Sequence, residues 1–344
     1  MIFAYLCKSL GYQRPRKPRT MTENETSMYE SDFIRQNPEL LQILLADHTL
    51  STPERQVNIF WATHDYEERG EGYQYGSPIL PSLITGGDDD ILLPRVLKSA
   101  ERQNSRSRGM AEVFTPAWIC NAQNNLVDNA WFGREGVFNT EVNGEDGSHT
   151  WTTNPAPVTF PEGKTWTDYL HDIRMEITCG EAPYLASRYD ATTGVPIPLR
   201  DRIGLLDRKL RVVNENTRSE PTKMNKREWR RKAYLALQSV YGYDWQGDNV
   251  LLARESLLYT FIDYYIDKWG KVPYKEAIFK AADIVSWNIW QMDGLHHTVP
   301  AVDGIDGPAC KIMEWHGIEP PTGKVIYYRD ILTDSERKMT ARRR

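Results

Sequence analysis

Arg174-Met175-Glu176-Ile177-Thr178-Cys179-Gly180-Glu181-Ala182-Pro183-Tyr184-Leu185 reads as a short strand, a tight turn and a helix start. Arg174 to Thr178 alternates polar and apolar side chains, and Ile177 and Thr178 are β-branched, which suits a strand. Gly180 can adopt left-handed backbone geometry and lets a ligand come close to the main chain. Ala182 to Leu185 can open a helix, because proline is tolerated in a first turn. A strand–glycine–helix turn aims free N–H groups at whatever lies above the sheet edge. One glycine and one acid at a strand end also occur in ordinary βα turns, so the surrounding chain has to decide.

Two more units of the same kind follow. Val240 to Tyr243 reads as a second strand ending in Asp244, with Asp248 or Asn249 capping the helix after it. An acid at the end of a second strand accepts hydrogen bonds from ribose hydroxyls in nucleotide-binding sheets. Ile284 to Ile289 reads as a third strand, carrying Asn288 and followed by Asp293. Helices are expected over 30–48 (capped by Ser31 or Asp32), after Thr115, over Glu228–Val240, through 257–270 and over 276–283, and Arg202–Val213 reads as a helix or a buried segment. Residues 63–95 read as an irregular connection and 140–165 as a loop or small hairpin. Beyond Leu295 the pattern is loop-like, with a last strand at Val325–Tyr328.

The 344 residues allow one large domain or two, and their composition, 40% hydrophobic and 26% charged, is that of an ordinary globular protein. No apolar run approaches the roughly 20 residues that span a bilayer. The opening apolar stretch, Met1 to Cys7, precedes its positive charges, the reverse of a secretory signal. Residues 1–20 read as a disordered basic lead, with Met21 an alternative start. Four scattered cysteines without a CxxC pair point to reduced thiols and a cytosolic setting. A net charge of −5 gives no global pull toward nucleic acid. The runs Arg95–Arg108 and Lys223–Lys232 and the closing Arg342-Arg343-Arg344 are nonetheless local footprints of the kind a DNA binder uses.

Before the helix expected at Ala117 stands Glu112-Val113-Phe114-Thr115-Pro116. Thr115 is a natural N-cap and Pro116 a natural first helical residue. The phrase resembles the Phe-Thr-Pro element that N6-adenine DNA methyltransferases of restriction–modification systems place beside bound S-adenosylmethionine. The phrases Thr178-to-Leu185, Gly204-to-Leu210, Trp245-to-Asn249 and Ser286-to-Leu295 closely resemble bacterial and phage proteins called restriction endonuclease subunit M, DNA methyltransferase-like chains. The resemblance covers roughly residues 55–330. It implies an α/β, Rossmann-like class I S-adenosylmethionine-dependent methyltransferase fold over 106–330, with an insert at about 190–235. A helical and irregular extension over 21–105 precedes it and a charged tail, 331–344, follows.

By that resemblance, Phe114, Thr115 and Pro116 flank the cofactor S-adenosylmethionine. Glu176, Cys179, Gly180 and Ala182 line its amino-acid end, Asp244 holds the ribose, and Asn288 and Asp293 lie near the adenine or the opening to the target base. The implied activity is methyl transfer to adenine N6 in double-stranded DNA, by a subunit working in the cytoplasm of a bacterial or phage-infected cell. Such chemistry needs an acceptor beside the amino group and an aromatic to stack the flipped base. The family supplies both with an Asn-Pro-Pro-Tyr-type motif, and this chain has none; Ile318-Glu319-Pro320-Pro321-Thr322-Gly323 follows no apolar strand. Asp244 also comes much further after Glu176 than the usual ~20 residues. The catalytic residues are therefore left unassigned. The alternative is a catalytically incomplete subunit that needs a restriction or catalytic-half partner chain.

Other chemistry ranks lower. His296, His297, Cys310 and His316 match no standard zinc spacing. Cys179 has no evident partner histidine. The acids Glu67, Glu68 and Asp88 to Asp90 lack the strand-borne lysine arrangement of a nuclease centre, and Trp287 and Trp290 read as core or ligand-wall aromatics.

Overall fold

The computed structural model describes residues 37–85, 91–92 and 115–332. Its centre is strand β4, Val240–Asp244, whose five residues are all buried. Burial on both faces is what an interior parallel strand requires. β3 (Arg174–Glu176) and β5 (Ile289–Gln291) pair with it in parallel on either side, in register Glu176↔Gly242↔Ile289. Four helices make the two crossovers: α5 (Leu205–Asn216) and α6 (Lys223–Gln238), then α7 (Gly247–Trp269) and α8 (Lys275–Asn288). Because the three strands lie in chain order, both crossovers step in the same direction and stack their helices on one face. The fold is mixed α/β.

Alternation along the strands divides the core in two. Val240 and Ile289 face the helices and join the large cluster with Leu251, Phe261 and Trp229. Tyr241, Tyr243 and Trp290 face the other way, toward Cys310, Ile312 and Tyr328. That second face is roofed by an antiparallel hairpin, β6 (Lys311–Ile318) and β7 (Pro321–Tyr327), and the Tyr241 hydroxyl donates to Met313 O at 3.0 Å. The sequence pattern after Leu295 suggested a loop. The last strand expected at Val325–Tyr328 falls at the end of β7, and the Glu319–Gly323 string makes the hairpin's turn and the start of that strand.

The N-terminal helix α1 (Pro38–Leu45) is capped by Asn37, whose side chain accepts from Leu40 N at 3.1 Å. The expected caps Ser31 and Asp32 lie outside the described residues. After α1, Asn58 to Ala62 runs against the start of α7: Gly247 donates to Trp61 O at 3.1 Å, and a Cβ on Gly247 would stand 2.0 Å from Phe60 O. α7 begins at Gly247 rather than at an Asp248 or Asn249 cap. α2 (Pro81–Ile84), α3 (Ala117–Phe132), the hairpin β1 (Asn139–Asn143) with β2 (His149–Thr153), and α4 (Trp166–His171) complete the chain up to β3. None of the helices among the described residues is long and apolar enough to cross a membrane.

Two further expectations fail at helix starts. The main chain after β3 does not enter a helix at Ala182; the next α-helix is α5, at Leu205. Ala182 itself takes φ +61°, which a right-handed helix cannot include. At α3, Thr115 is not the cap: the N-cap position is Pro116, and the Ala117 N–H is satisfied from a distance by Asp190 Oδ2 at 2.7 Å.

Candidate functional site at the carboxyl edge of the sheet

Three strand ends meet at one edge. From β3 the chain turns through Thr178 (φ +47°), Gly180 (φ +54°) and Ala182 (φ +61°), three left-handed residues within five positions. Glycine takes that geometry freely, whereas threonine and alanine do so at a cost of about 1 kcal/mol or more each. The turn is held from below by β4. Cys179 N donates to Tyr243 O at 2.8 Å, and Gly180 N donates to Asp244 Oδ2 at 2.8 Å. Gly242 permits this approach, since a Cβ there would sit 3.3 Å from the Cys179 side chain.

Asp244 is therefore an organising acid. Its Oδ1 accepts from Gln246 N at 3.0 Å and from Asn249 Nδ2 at 3.2 Å, so both carboxylate oxygens are engaged within the chain. Glu176 plays the same part inside the turn, accepting from Tyr184 N at 3.4 Å and Leu185 N at 3.2 Å. Burial pushes the Glu176 carboxyl well above the usual range against those two N–H groups, and the nearby Asp244 charge adds to the rise. Burial, with Asp244 and Glu176 as further causes, also raises the Cys179 thiol, so the sulfur stays protonated and is no nucleophile.

The start of α3 lies against this turn. Asn124 Nδ2 donates to Tyr184 O at 2.9 Å and to Ile203 O at 3.0 Å, and the Tyr184 hydroxyl bonds to the side chain of Thr115. Burial acts to raise Asp190, but hydrogen bonds from Thr192, Thr193 and the Ala117 N–H prevail and hold its pKa below the usual value. An anion at a helix N-terminus is also favoured by the helix dipole. On the far side, Met292 N donates to Asp244 O at 2.9 Å, which brings Asp293 to the same rim. Asp293 bonds His296 Nδ1 at 2.6 Å, and Trp245 Nε1 donates to the Tyr75 hydroxyl at 3.0 Å beside it.

The fold thus gathers Thr115, Pro116, Glu176, Cys179, Gly180, Ala182, Asp244 and Asp293 at one edge. Phe114 lies outside the described residues. Asn288 does not join them. It ends α8 before β5 begins, because the helix expected to stop near residue 283 runs on and delays the strand to Ile289. Its amide donates to Leu237 O and Val240 O, both at 2.9 Å, and accepts from Trp315 Nε1 at 2.8 Å, at the amino end of the sheet. Sequence reasoning missed Tyr184, Asp190, Tyr75 and Trp245. For Asp190 a signal existed, since Asp190-Ala-Thr-Thr-Gly194 is an Asx-turn pattern; for Tyr75, brought in from far along the chain, there was none.

The donor inventory limits what can bind. The N–H groups of Gly180, Tyr184 and Leu185 already serve the protein's own carboxylates, no helix starts directly after the turn, the Ala117 N–H of α3 is taken by Asp190, and at the start of α7 the Gly247 N–H is taken by Trp61 O. A phosphate cradle needs such groups free. An acid, a glycine turn and the half-buried aromatics Tyr75, Tyr184 and Trp245 stand together at this edge. A cavity of about 870 Å³ between β2, α5 and α7 is lined by none of these side chains. Comparison with known proteins returns no matching family model, no matching curated protein and no matching solved structure.

Proposed function

We propose that the chain is the S-adenosylmethionine-binding subunit of a DNA adenine-N6 methyltransferase from a restriction–modification or phage-encoded system. The observation that carries this reading is the turn after β3. It joins a glycine to a strand-end acid through the Gly180–Asp244 hydrogen bond, while the N–H groups of Gly180, Tyr184 and Leu185 are satisfied internally. S-adenosylmethionine is a nucleoside cofactor without phosphate, so this donor set favours it over ATP or a nicotinamide dinucleotide. Asp244 and the Cys179–Gly180 turn are the residues to hold it, and the cofactor supplies the transferable methyl group when bound.

The reading of an incomplete subunit has its own support. The sequence holds no Asn-Pro-Pro-Tyr-type motif, and among the described residues the parallel sheet has three strands, with no further strand to carry one. Calorimetric titration of the purified chain with S-adenosylmethionine, ATP and NAD tests the cofactor. Saturable binding of the first alone is expected, weakened in Asp244→Asn; binding of the phosphate-bearing ligands instead sinks the reading. Transfer of labelled methyl to DNA, by the chain alone and with candidate partner chains, then separates the complete enzyme from the half.

A further inference from the structure

α6 carries six cations, from Lys223 to Lys232, and one acid, Glu228. Lys223, Arg227 and Arg231 recur every fourth residue and so form a stripe, with steps of about 6 Å along the helix. Arg227 is paired with Glu319 at 3.0 Å. Lys223 and Arg231 are exposed and make no ion pair among the described residues, and the same holds for Lys271, on the connection from α7 to α8.

That connection packs directly against α6. The Lys226 ammonium lies 5.8 Å from the Trp269 ring centre and the Arg230 guanidinium 4.7 Å from that of Tyr274, which is 44% exposed. On the other flank Lys232 lies 4.9 Å from the Trp166 ring centre, and burial together with neighbouring Arg231 lowers its pKa. Cations seated on aromatic faces keep their charge while their stems are fixed, which lowers the entropy lost when a partner binds. Exposed acids, Glu220, Glu228, Asp267 and Glu276, stand on and beside the same helices, and others gather at the opposite end. Glu67, Asp293, Asp303 and Asp306 surround the carboxyl edge. Exposed cations also stand elsewhere among the described residues, Arg55, Arg69, Arg134, Lys164 and Arg329 among them, but α6 holds six cations within ten positions.

We propose that this pole, formed by α6 and the α7–α8 connection, docks the phosphate backbone of duplex DNA. A helix dense in cations, with Lys223, Arg231 and Lys271 exposed beside cations seated on aromatic rings, complements a polyanion, and it fits positioning contacts that carry no base recognition. The pole is separated from Asp244 by the length of α7, which starts beside that acid and runs 23 residues, about 34 Å, to Trp269. It is an anchoring surface, distinct from any site where a target base is modified. The inference deepens the DNA-modification reading and rests on it for the identity of the polyanion.

The test uses the full chain and a 30-base-pair duplex, with affinity measured across salt concentrations. The triple variant Lys223→Glu, Arg231→Glu, Lys271→Glu changes only exposed side chains. It is expected to bind at least tenfold more weakly and to lose about 2 to 3 from the slope of log affinity against log salt, near 0.9 per phosphate contact. Unchanged affinity and slope, or no duplex binding by the wild type, overturns the proposal. So does equal competition by polyglutamate or by anionic phosphatidylserine vesicles, which would make the pole a general anion surface. S-adenosylmethionine binding is measured on the same samples. Loss of DNA binding with cofactor binding intact isolates the pole, whereas absence of cofactor binding alone rejects the cofactor reading and leaves the pole standing.

Discussion

Gly180 and Asp244 are joined by a 2.8 Å hydrogen bond from the turn's N–H to the strand-end carboxylate. The link makes the second-strand acid a structural member of the first-strand turn, since the same carboxylate also holds Gln246 N and Asn249 Nδ2. Asp244→Ala leaves the Gly180 and Gln246 N–H groups without an acceptor, Asn249 Nδ2 keeping Gln246 Oε1, at an expected cost of about 3 kcal/mol. Asp244→Asn keeps one acceptor oxygen and should cost about half as much. Urea denaturation measures both. If the alanine variant is as stable as the wild type, the turn is not closed this way. The ordering also makes Asp244→Asn the better control for cofactor binding, because its fold is less disturbed.

A second buried charge ties the N-terminal extension to the sheet. Arg254 on α7 donates to the carbonyls of Leu44, Ala46, Ser286 and Ile289, which belong to α1, its exit, α8 and β5. Arg254→Met fills similar volume but leaves four buried carbonyls without that donor, an expected loss of about 3–5 kcal/mol. Hydrogen exchange should show the amides of Pro38–Leu45 losing protection before those of β4. Uniform loss across both would mean that Arg254 does not specifically anchor α1.

The relation between sequence and fold is clearest at β4. Val240 to Asp244 has to be buried on both faces, so its apolar run and terminal acid stand out locally, and β3, α5 and the β1–β2 hairpin follow comparably plain patterns. What sequence could not supply was long-range satisfaction. Thr115 looks like a cap, but Asp190 provides the acceptor from beyond β3. Ala182-Pro183-Tyr184-Leu185 looks like a helix start, but Glu176 takes the N–H groups that would begin one. Asn288 looks like a strand-borne polar group, but three partners fix it at the end of α8. Local patterns report which backbone groups need partners; the tertiary fold decides where the partners come from.

Asp207 on α5 predicts a pH dependence. Burial pushes its carboxyl up to about 6, against the lowering effects of Arg202 and of the Ser187 N–H and hydroxyl. A folded-state pKa above the unfolded one means that the native state binds the extra proton. Stability from this group is therefore greatest at low pH and is lost as pH rises from about 4 through 6, by on the order of 2–3 kcal/mol. Asp207→Asn, which keeps an acceptor for Ser187, should flatten the stability profile over that window. Denaturation midpoints at pH 4, 5, 6 and 7 make the comparison, and parallel profiles for the two proteins would show that Asp207 titrates normally.

His296 offers the corresponding test at the rim of the candidate site. Its Nδ1 lies 2.6 Å from Asp293 Oδ2, and the hydrogen bond and charge of Asp293 raise its pKa above the ordinary histidine value. Asp293 also accepts from Leu295 N at 2.8 Å and His296 N at 3.2 Å through its other oxygen. Asp293→Asn can keep those two bonds while removing the charge, so it isolates the electrostatic part. Resolved by NMR, the His296 ring should titrate above pH 6.5 in the wild type and move down in the variant. The stabilisation is present in full below the unfolded pKa and is lost as pH rises through the folded one, and solvent screening at this exposed ring keeps it small. An unmoved midpoint would mean that the Asp293 charge does not govern His296, and the two residues would then offer no tuned proton site beside Asp244.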